Sequence, residues 1–307
     1  MVAALVWLGR QGRYCLIAGL LAGLLLPALA EILRPHIGAM IALLLFVTGM
    51  RVGARAAFGS LTDIGPAVLR IGALQLVLPL SAVAVFATLG VLDTPLALAV
   101  SLMLAAPSVT GAPNFVAMAG LDPAPGVRLL VLGTALFPLT AFPILAIVSV
   151  GGDITTAVIQ SVQLLIAILV SVGAGFAVRK LVPSLGAQAS IQALDGMAAL
   201  VLAIVVVGLM SAIGPLARSD PMTLVGWLFV AIGVNTGLVL GTLYLARSQR
   251  LRIPEATAVY AGNRNIALFL IVLPDAVAAP LMIFIGCYQV PMYLTPLLLA
   301  RVRGQTG

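Results

Sequence analysis

The chain has 307 residues, of which 62% are apolar and 8% charged, with a mean hydropathy of +1.22. So little charge cannot clothe a soluble globule, and the same composition excludes a disordered or collagen-like chain. The 16 Lys and Arg against 9 Asp and Glu leave a net charge of +7. In a soluble protein that excess would raise nucleic acid as a partner; here the charges must first be placed relative to a lipid bilayer, and no nucleic acid is expected. Two cysteines cannot build a disulfide scaffold.

A helix crosses a hydrocarbon core of about 30 Å with roughly 20 mainly apolar residues. Stretches free of Lys, Arg, Asp and Glu run Tyr14–Ala30, Pro35–Met50, Ile71–Leu92, Thr94–Leu121, Leu129–Gly152, Ile154–Val178, Gly196–Ala217, Pro221–Ala246 and Ala276–Ala300. Ala256–Pro274 is a further one, interrupted only by Arg264. The second is short and predicts a tilted or displaced helix whose end extends to Arg51. Leu181–Leu194 is also uncharged, but Pro183, Ser184, Gly186, Gln188, Ser190 and Gln192 predict a loop. The expected fold is therefore an all-α polytopic membrane protein of ten transmembrane helices. Arg10, Arg13, the apolar run after them and Ala28-Leu29-Ala30 also suit a signal peptide with its cleavage site. The run is long for one and nine spans follow, so it is expected to remain as the first span.

Orientation follows from Lys and Arg in short loops. With the N-terminus inside, Arg10, Arg13, Arg51, Arg55, Arg70, Arg128, Arg179, Lys180, Arg247, Arg250, Arg252, Arg301 and Arg303 fall on the cytoplasmic side, thirteen of the sixteen. Only Arg34 and Arg218 fall outside, and Arg264 lies within a span. Acids divide nearly evenly: Glu31, Asp93, Asp153, Asp220 and Asp275 outside, Asp63, Asp122, Asp195 and Glu255 inside. The expectation is a multi-pass protein of the cell (inner) membrane with both termini cytoplasmic.

Two spans hold more backbone trouble than a lipid-facing helix tolerates. The fourth reads Ala106-Pro107-Ser108-Val109-Thr110-Gly111-Ala112-Pro113-Asn114. Pro107 and Pro113 each remove a backbone donor and clash with a preceding turn, and Gly111 between them permits non-helical angles. A break near mid-membrane is predicted, a packing kink being the alternative. The ninth reads Tyr260-Ala261-Gly262-Asn263-Arg264-Asn265, with the charge about eight residues in from the cytoplasmic end. Irregular backbone at such depth survives only where it lines a cavity or is buried in protein. An arginine at a helix centre costs roughly 2.5–3.5 kcal/mol on insertion scales, and no acid in the ten spans is placed to pair with it. Snorkelling to the inner surface is one explanation; an internal anionic ligand is the favoured one.

The two interrupted segments are each the fourth of five spans, in residues 1–152 and 153–307. Five spans per half make the second half enter the bilayer from the opposite side, so the order describes an inverted repeat. Discontinuous helices at corresponding places in inverted halves point to a transporter's binding site.

Together with the ten spans, Pro-x-x-Thr-x-x-x-Asn from Pro107 to Asn114 and Gly-x-x-Asn from Gly262 to Asn265 resemble the bile acid:sodium symporter family, within the larger group of arsenite exporters and auxin efflux carriers. The resemblance covers nearly the whole chain. It implies one transmembrane transporter unit with panel helices over 14–52 and 154–217, core helices over 66–150 and 221–300, and broken, crossing helices 4 and 9. Substrate would bind in the crevice between panel and core, and transport would proceed by alternating access. Pro107, Gly111, Pro113 and Gly262 would form the helix crossover. Arg264, Asn265, Asn263, Asn114 and Thr110 would bind a small organic anion, and Gln75, Asn114, Tyr260 and Asn265 correspond to ion-binding positions.

The departures bear on coupling. Sodium-coupled members read Glu-x-Gly-x-Gln-Asn in the ninth span; here Tyr260 stands at the glutamate and Arg264 at the glutamine. Sodium wants several oxygen ligands, and a fixed guanidinium among them repels it. The hydroxyls expected on the fifth span are out of register, with Val127, Leu130 and Val131 near that place and Thr134 the nearest hydroxyl. The expectation is that Arg264 replaces sodium as a tethered cation, leaving a carrier that is sodium-independent or coupled to another ion, with no cofactor. A proton-coupled or uncoupled efflux carrier of an anionic metabolite or metalloid is the alternative.

Other chemistry finds little support. His36 sits near an outer end, and Cys15 and Cys287 lie in apolar spans where packing outweighs thiolate or metal chemistry. The fourth span lacks the cysteine an arsenite exporter would want. Trp7, Trp227, Tyr14 and Tyr288 read as aromatic anchors or packing. A Gly-x-x-x-x-Gly-Lys-Ser/Thr loop, Cys/His metal spacing and a Ser-His-Asp set are all missing, so no enzyme is expected. A receptor or scaffold would have only short loops to signal with.

Overall fold

The structure, a computed structural model, describes residues 2–59, 64–122, 124–148, 153–248 and 253–304. Asp63, Arg250 and Arg252, counted above on the cytoplasmic side, lie outside the described residues, as do residues 149–152, where the fifth predicted span ends. Among the described residues the chain is almost wholly helical with no strand, and seven helices are long and apolar enough to cross a membrane: Pro27–Val52, Ile64–Thr88, Pro125–Val148, Ile154–Leu181, Gln188–Ser219, Pro221–Arg247 and Val277–Val302. Tyr14–Leu25 and Pro95–Ala105 are apolar but shorter. The protein is an all-α, multi-pass membrane protein.

Two boundaries differ from the sequence expectation. Helices α1 (Val2–Arg10) and α2 (Gly12–Leu25) stop at Leu26, and α3 (Pro27–Leu33) continues through a 3-10 turn at Arg34–His36 into α4 (Ile37–Val52). The chain therefore breaks at Leu26 and not at Glu31–Arg34. Pro27 is the reason: the residue before a proline is driven out of the helical region, and Leu26 stands at φ −121°, ψ 69°. The second correction concerns Leu181–Leu194. After α5 (Ala54–Gly59), α6 (Ile64–Gly72), a π turn at Ala73–Val77, α7 (Leu78–Thr88), α8 (Pro95–Ala105), α9 (Ala112–Met118), α10 (Ala124–Val148) and α11 (Ile154–Leu181), only a 3-10 turn at Pro183–Gly186 intervenes before α12 (Gln188–Ser219). Gln188, Ser190 and Gln192 lie inside a helix. Residues 187–194 hold no Pro or Gly, and polar residues alone do not stop a helix.

The remaining elements are α13 (Pro221–Arg247), α14 (Thr257–Gly262), a 3-10 segment at Ile266–Ile271 and α15 (Asp275–Gly304). Asp220 caps α13, accepting from the Thr223 amide at 3.0 Å and the Thr223 hydroxyl at 2.5 Å. Those bonds, the hydroxyl's first, hold the Asp220 carboxyl below the usual carboxylate range.

The chain divides into two compact units. The first comprises Met1–Leu61, Val162–Leu224 and Ala267–Gly286; the second comprises Thr62–Ser161, Val225–Ile266 and Cys287–Gly307. In the first, α12 packs along α1, α2, α3 and α4. Small residues allow the approach: a methyl at Gly9 would stand 2.7 Å from the Gln192 carbonyl oxygen, one at Gly19 2.5 Å from that of Ala203, and one at Gly196 would overlap that of Leu5. Helix α4 ends at Gly53, whose φ of +72° suits only glycine well. The Arg179 side chain covers that end, donating to the carbonyls of Met50 at 2.8 Å, Arg51 at 3.3 Å and Leu185 at 2.9 Å. Beside it Arg51 pairs with Asp195 at 2.5 Å.

In the second unit α10 packs against α6, α8, α9, α14 and the π turn. Its apolar cluster gathers Ala67, Ile71, Val116, Leu129, Val239, Val259, Tyr260 and Met292.

Candidate functional site

The site lies within the second unit, where two interrupted segments meet. Helix α8 stops at Ala105 because Pro107 drives Ala106 into extended backbone, φ −62° and ψ 148°. The helix resumes only at Ala112. Helix α14 stops at Gly262, and Asn263 is likewise extended at φ −116°, ψ 92°. Each break strands backbone groups that a continuous helix would have satisfied. The two segments satisfy one another: Ser108 and Arg264 form an isolated antiparallel bridge. The Val109 amide donates to the Asn263 carbonyl at 2.9 Å and the Asn265 amide to the Pro107 carbonyl at 2.7 Å. The Ser108 hydroxyl donates to the same Asn263 carbonyl at 3.1 Å.

Arg264 answers three of the carbonyls left over. Its Nε donates to Ala261 at 2.7 Å, Nη1 to Ala106 at 3.0 Å and Nη2 to Leu74 at 3.3 Å. Ala106 and Ala261 lie at the C-terminal ends of α8 and α14, where the peptide dipoles leave partial negative charge. Leu74 lies in the π turn, which displaces its carbonyl from regular α-helical bonding. A guanidinium has five N–H donors in a planar fork, so one side chain can reach three separate segments and retain two donors. Arg264 is 3% exposed and is the one charged side chain in the buried class among the described residues. Among those residues no carboxylate forms an ion pair with it; Arg51 pairs with Asp195 and Arg247 with Glu255.

A second set of bonds holds the ninth-span loop. The Gly262 carbonyl accepts from the Asn235 amide and from the Tyr288 hydroxyl. The Thr295 hydroxyl faces Asn235 Oδ1 at 3.3 Å, Asn263 Oδ1 at 3.2 Å and the Pro291 carbonyl at 3.0 Å, three acceptors for one proton. The Asn263 amide donates to the Val259 carbonyl at 2.8 Å. Gln75, buried in the π turn, accepts from the Thr140 hydroxyl at 3.1 Å.

The structure thus brings Gly262, Asn263, Arg264 and Asn265 together with Pro107 and with the carbonyl of Leu74, the neighbour of Gln75. Thr110 and Asn265 are half-buried at the edge of the bridge, Gly111 precedes the first turn of α9, Pro113 lies in that turn, and Asn114 is exposed on α9. The Tyr260 ring is buried in the apolar cluster against Gly126, where a methyl would overlap it.

Sequence reasoning missed Ser108, Thr140, Asn235 and Thr295, and it read Tyr288 as packing. Asn235 had a signal that could have found it, an amide inside a long apolar span. Thr140 had none, because its place opposite Gln75 depends on how α10 packs. Compared with models of known protein families and with curated proteins, the chain matches none of them.

Proposed function

We propose that the protein is a secondary active transporter that moves an organic anion by alternating access. In plan it resembles the bile acid:sodium symporters, with ten spans in inverted halves, both termini cytoplasmic, and Arg264 in place of sodium. The observation that supports this reading is the guanidinium itself. It is buried, has no carboxylate partner among the described residues, and donates to carbonyls on both interrupted helices and on the π turn. A bound sodium ion would draw in carbonyl oxygens in the same way. Unlike sodium, the guanidinium neither dissociates nor follows a gradient, so the carrier is sodium-independent. Its two remaining donors and a charge met by carbonyl dipoles alone favour an anion, and the half-buried Thr110 and Asn265 add neutral donors near it.

The test is uptake of a panel of radiolabelled acids (lactate, benzenesulfonate, 2-naphthalenesulfonate, succinate and sulfate), each into proteoliposomes preloaded with the same unlabelled acid. Protein-dependent uptake that is equal with and without a sodium gradient is expected for at least one. Strict sodium dependence would sink the tethered-cation reading, and no uptake of any acid would sink the carrier.

A further inference from the structure

We propose that this carrier works by obligate exchange of monoanions, moving one anion in only as another moves out. The inference rests on the carrier reading above and concerns what a charge that cannot leave does to the transport cycle.

Arginine stays protonated in a protein interior. Arg264 is fixed to its surroundings twice over. Its side chain is bonded to Leu74, Ala106 and Ala261, and its backbone is bridged to Ser108. All four partners belong to the same compact unit as Arg264. Any rearrangement that displaces this unit as a body takes the positive charge with it.

A diffusible coupling ion leaves with the substrate, and the emptied carrier returns without that charge. Once the anion has left, the guanidinium keeps its full charge, faced by the carbonyl dipoles of Leu74, Ala106 and Ala261 and by no carboxylate among the described residues. A buried charge that dipoles alone offset is costlier than one with a counter-ion in a low-dielectric setting, so the empty form crosses the conformations that seal the site on both sides more slowly than the loaded form. A bound monoanion neutralises the guanidinium, and the loaded form passes. A dianion leaves a net negative charge and meets a barrier of the same kind. Loaded reorientation moves no net charge, whereas empty reorientation moves a whole one. Across a potential of about 100 mV that charge shifts an equilibrium by up to about 50-fold.

The test uses proteoliposomes holding the full chain, preloaded in turn with each radiolabelled acid of the panel and diluted into buffer with or without the same unlabelled acid. For lactate or a sulfonate, efflux is expected to be at least about tenfold faster with the anion outside. An imposed potassium diffusion potential of about 100 mV should leave exchange unchanged while altering residual net efflux. Arg264→Gln, which removes the charge that holds the anion, is expected to abolish efflux in both modes, and Arg264→Lys to retain efflux and its dependence on outside anion. If Arg264→Gln does not fold, the wild-type comparison and its voltage dependence still decide the matter. Net efflux as fast as exchange, or succinate exchanging as fast as the monoanions, overturns the inference while leaving the carrier reading intact. Vesicles of the wild-type protein that move no acid in either mode overturn both.

Discussion

The Arg264 guanidinium meets the Ala106 carbonyl at 3.0 Å, closing the end of one interrupted helix with a charge supplied 158 residues further along the chain. The same side chain closes its own helix through Ala261 at 2.7 Å. Replacing it with Met leaves the Leu74, Ala106 and Ala261 carbonyls without that donor. Each orphaned buried acceptor costs about 1–3 kcal/mol, offset in part by no longer burying a charge. A net loss of about 2–4 kcal/mol is expected for Arg264→Met. Arg264→Lys should lose less, because it keeps the charge but presents its donors from one atom and cannot span three carbonyls. Thermal or denaturant unfolding in detergent ranks the three proteins; a Met variant as stable as wild type contradicts the capping role.

Thr295 joins Asn235 and Asn263 with a hydroxyl that has one proton for three acceptors. Thr295→Val keeps the shape and removes the donor. Interhelical hydrogen bonds in membrane proteins are worth about 0.6 kcal/mol on average and up to about 1.7. The loss should fall in that range and be smaller than that of Asn235→Leu, which also strips the Gly262 carbonyl of a donor. Equal losses would mean that the Asn235 bond to Gly262 contributes nothing.

How much of this was legible depends on how local each cause is. The interruption after Ala105 could be read from Pro107 and Pro113, because proline acts on its own turn. The interruption at Asn263 could be read from an arginine and two amides around a glycine, since lipid tolerates no such run. Leu26 was missed although Pro27 acts by the same rule, because a count of charges places boundaries at charges and not at backbone angles. The partners of Arg264 were beyond reach for another reason: they are backbone carbonyls, which every residue has, and only the packed fold selects Leu74 and Ala106 from the rest. With no acid in the spans to pair with Arg264 the sequence points to an anionic ligand, and the fold adds what the sequence does not show, carbonyls that meet three of the five donors.

Gly126 and Tyr260 are matched by volume. A methyl at Gly126 would overlap the Tyr260 ring, which is 2% exposed and has nowhere to swing. Gly126→Ala should destabilise by about 1–3 kcal/mol through overpacking. Tyr260→Leu alone should also destabilise, by leaving a cavity. The double variant should then recover part of the first loss, a coupling that a double-mutant cycle measures directly. Additive losses would mean that the two side chains do not compete for one space.

Glycines in this chain divide by what surrounds them. At Gly196 an added methyl would overlap the Leu5 carbonyl oxygen, a backbone atom that cannot rotate aside, so Gly196→Ala must push α1 away from α12. At Gly233 in α13 nothing lies within 4 Å of an added methyl. Alanine there should be neutral or stabilising by about 0.5–1 kcal/mol, the ordinary helix gain over glycine. Unfolding midpoints that move in the same direction for both would refute the close α1–α12 contact.

Arg179 and Asp195 sit beside one another near the end of α4 but do different work. Arg179 donates to the Met50, Arg51 and Leu185 carbonyls, groups left over by the end of α4 and by the 3-10 turn. Asp195 pairs with Arg51, and the two side chains are 25% and 23% exposed, so water competes for the pair. Hydrogen bonds to a charged donor are worth about 1.5–3 kcal/mol, against about 0.2–1 for an exposed ion pair. Arg179→Met should therefore cost more than Asp195→Asn, and its cost should persist in high salt, where screening removes most of what the ion pair contributes. Denaturant unfolding at low and high ionic strength separates the two. A salt-sensitive loss at Arg179 would show that its role is charge pairing and not the capping of α4.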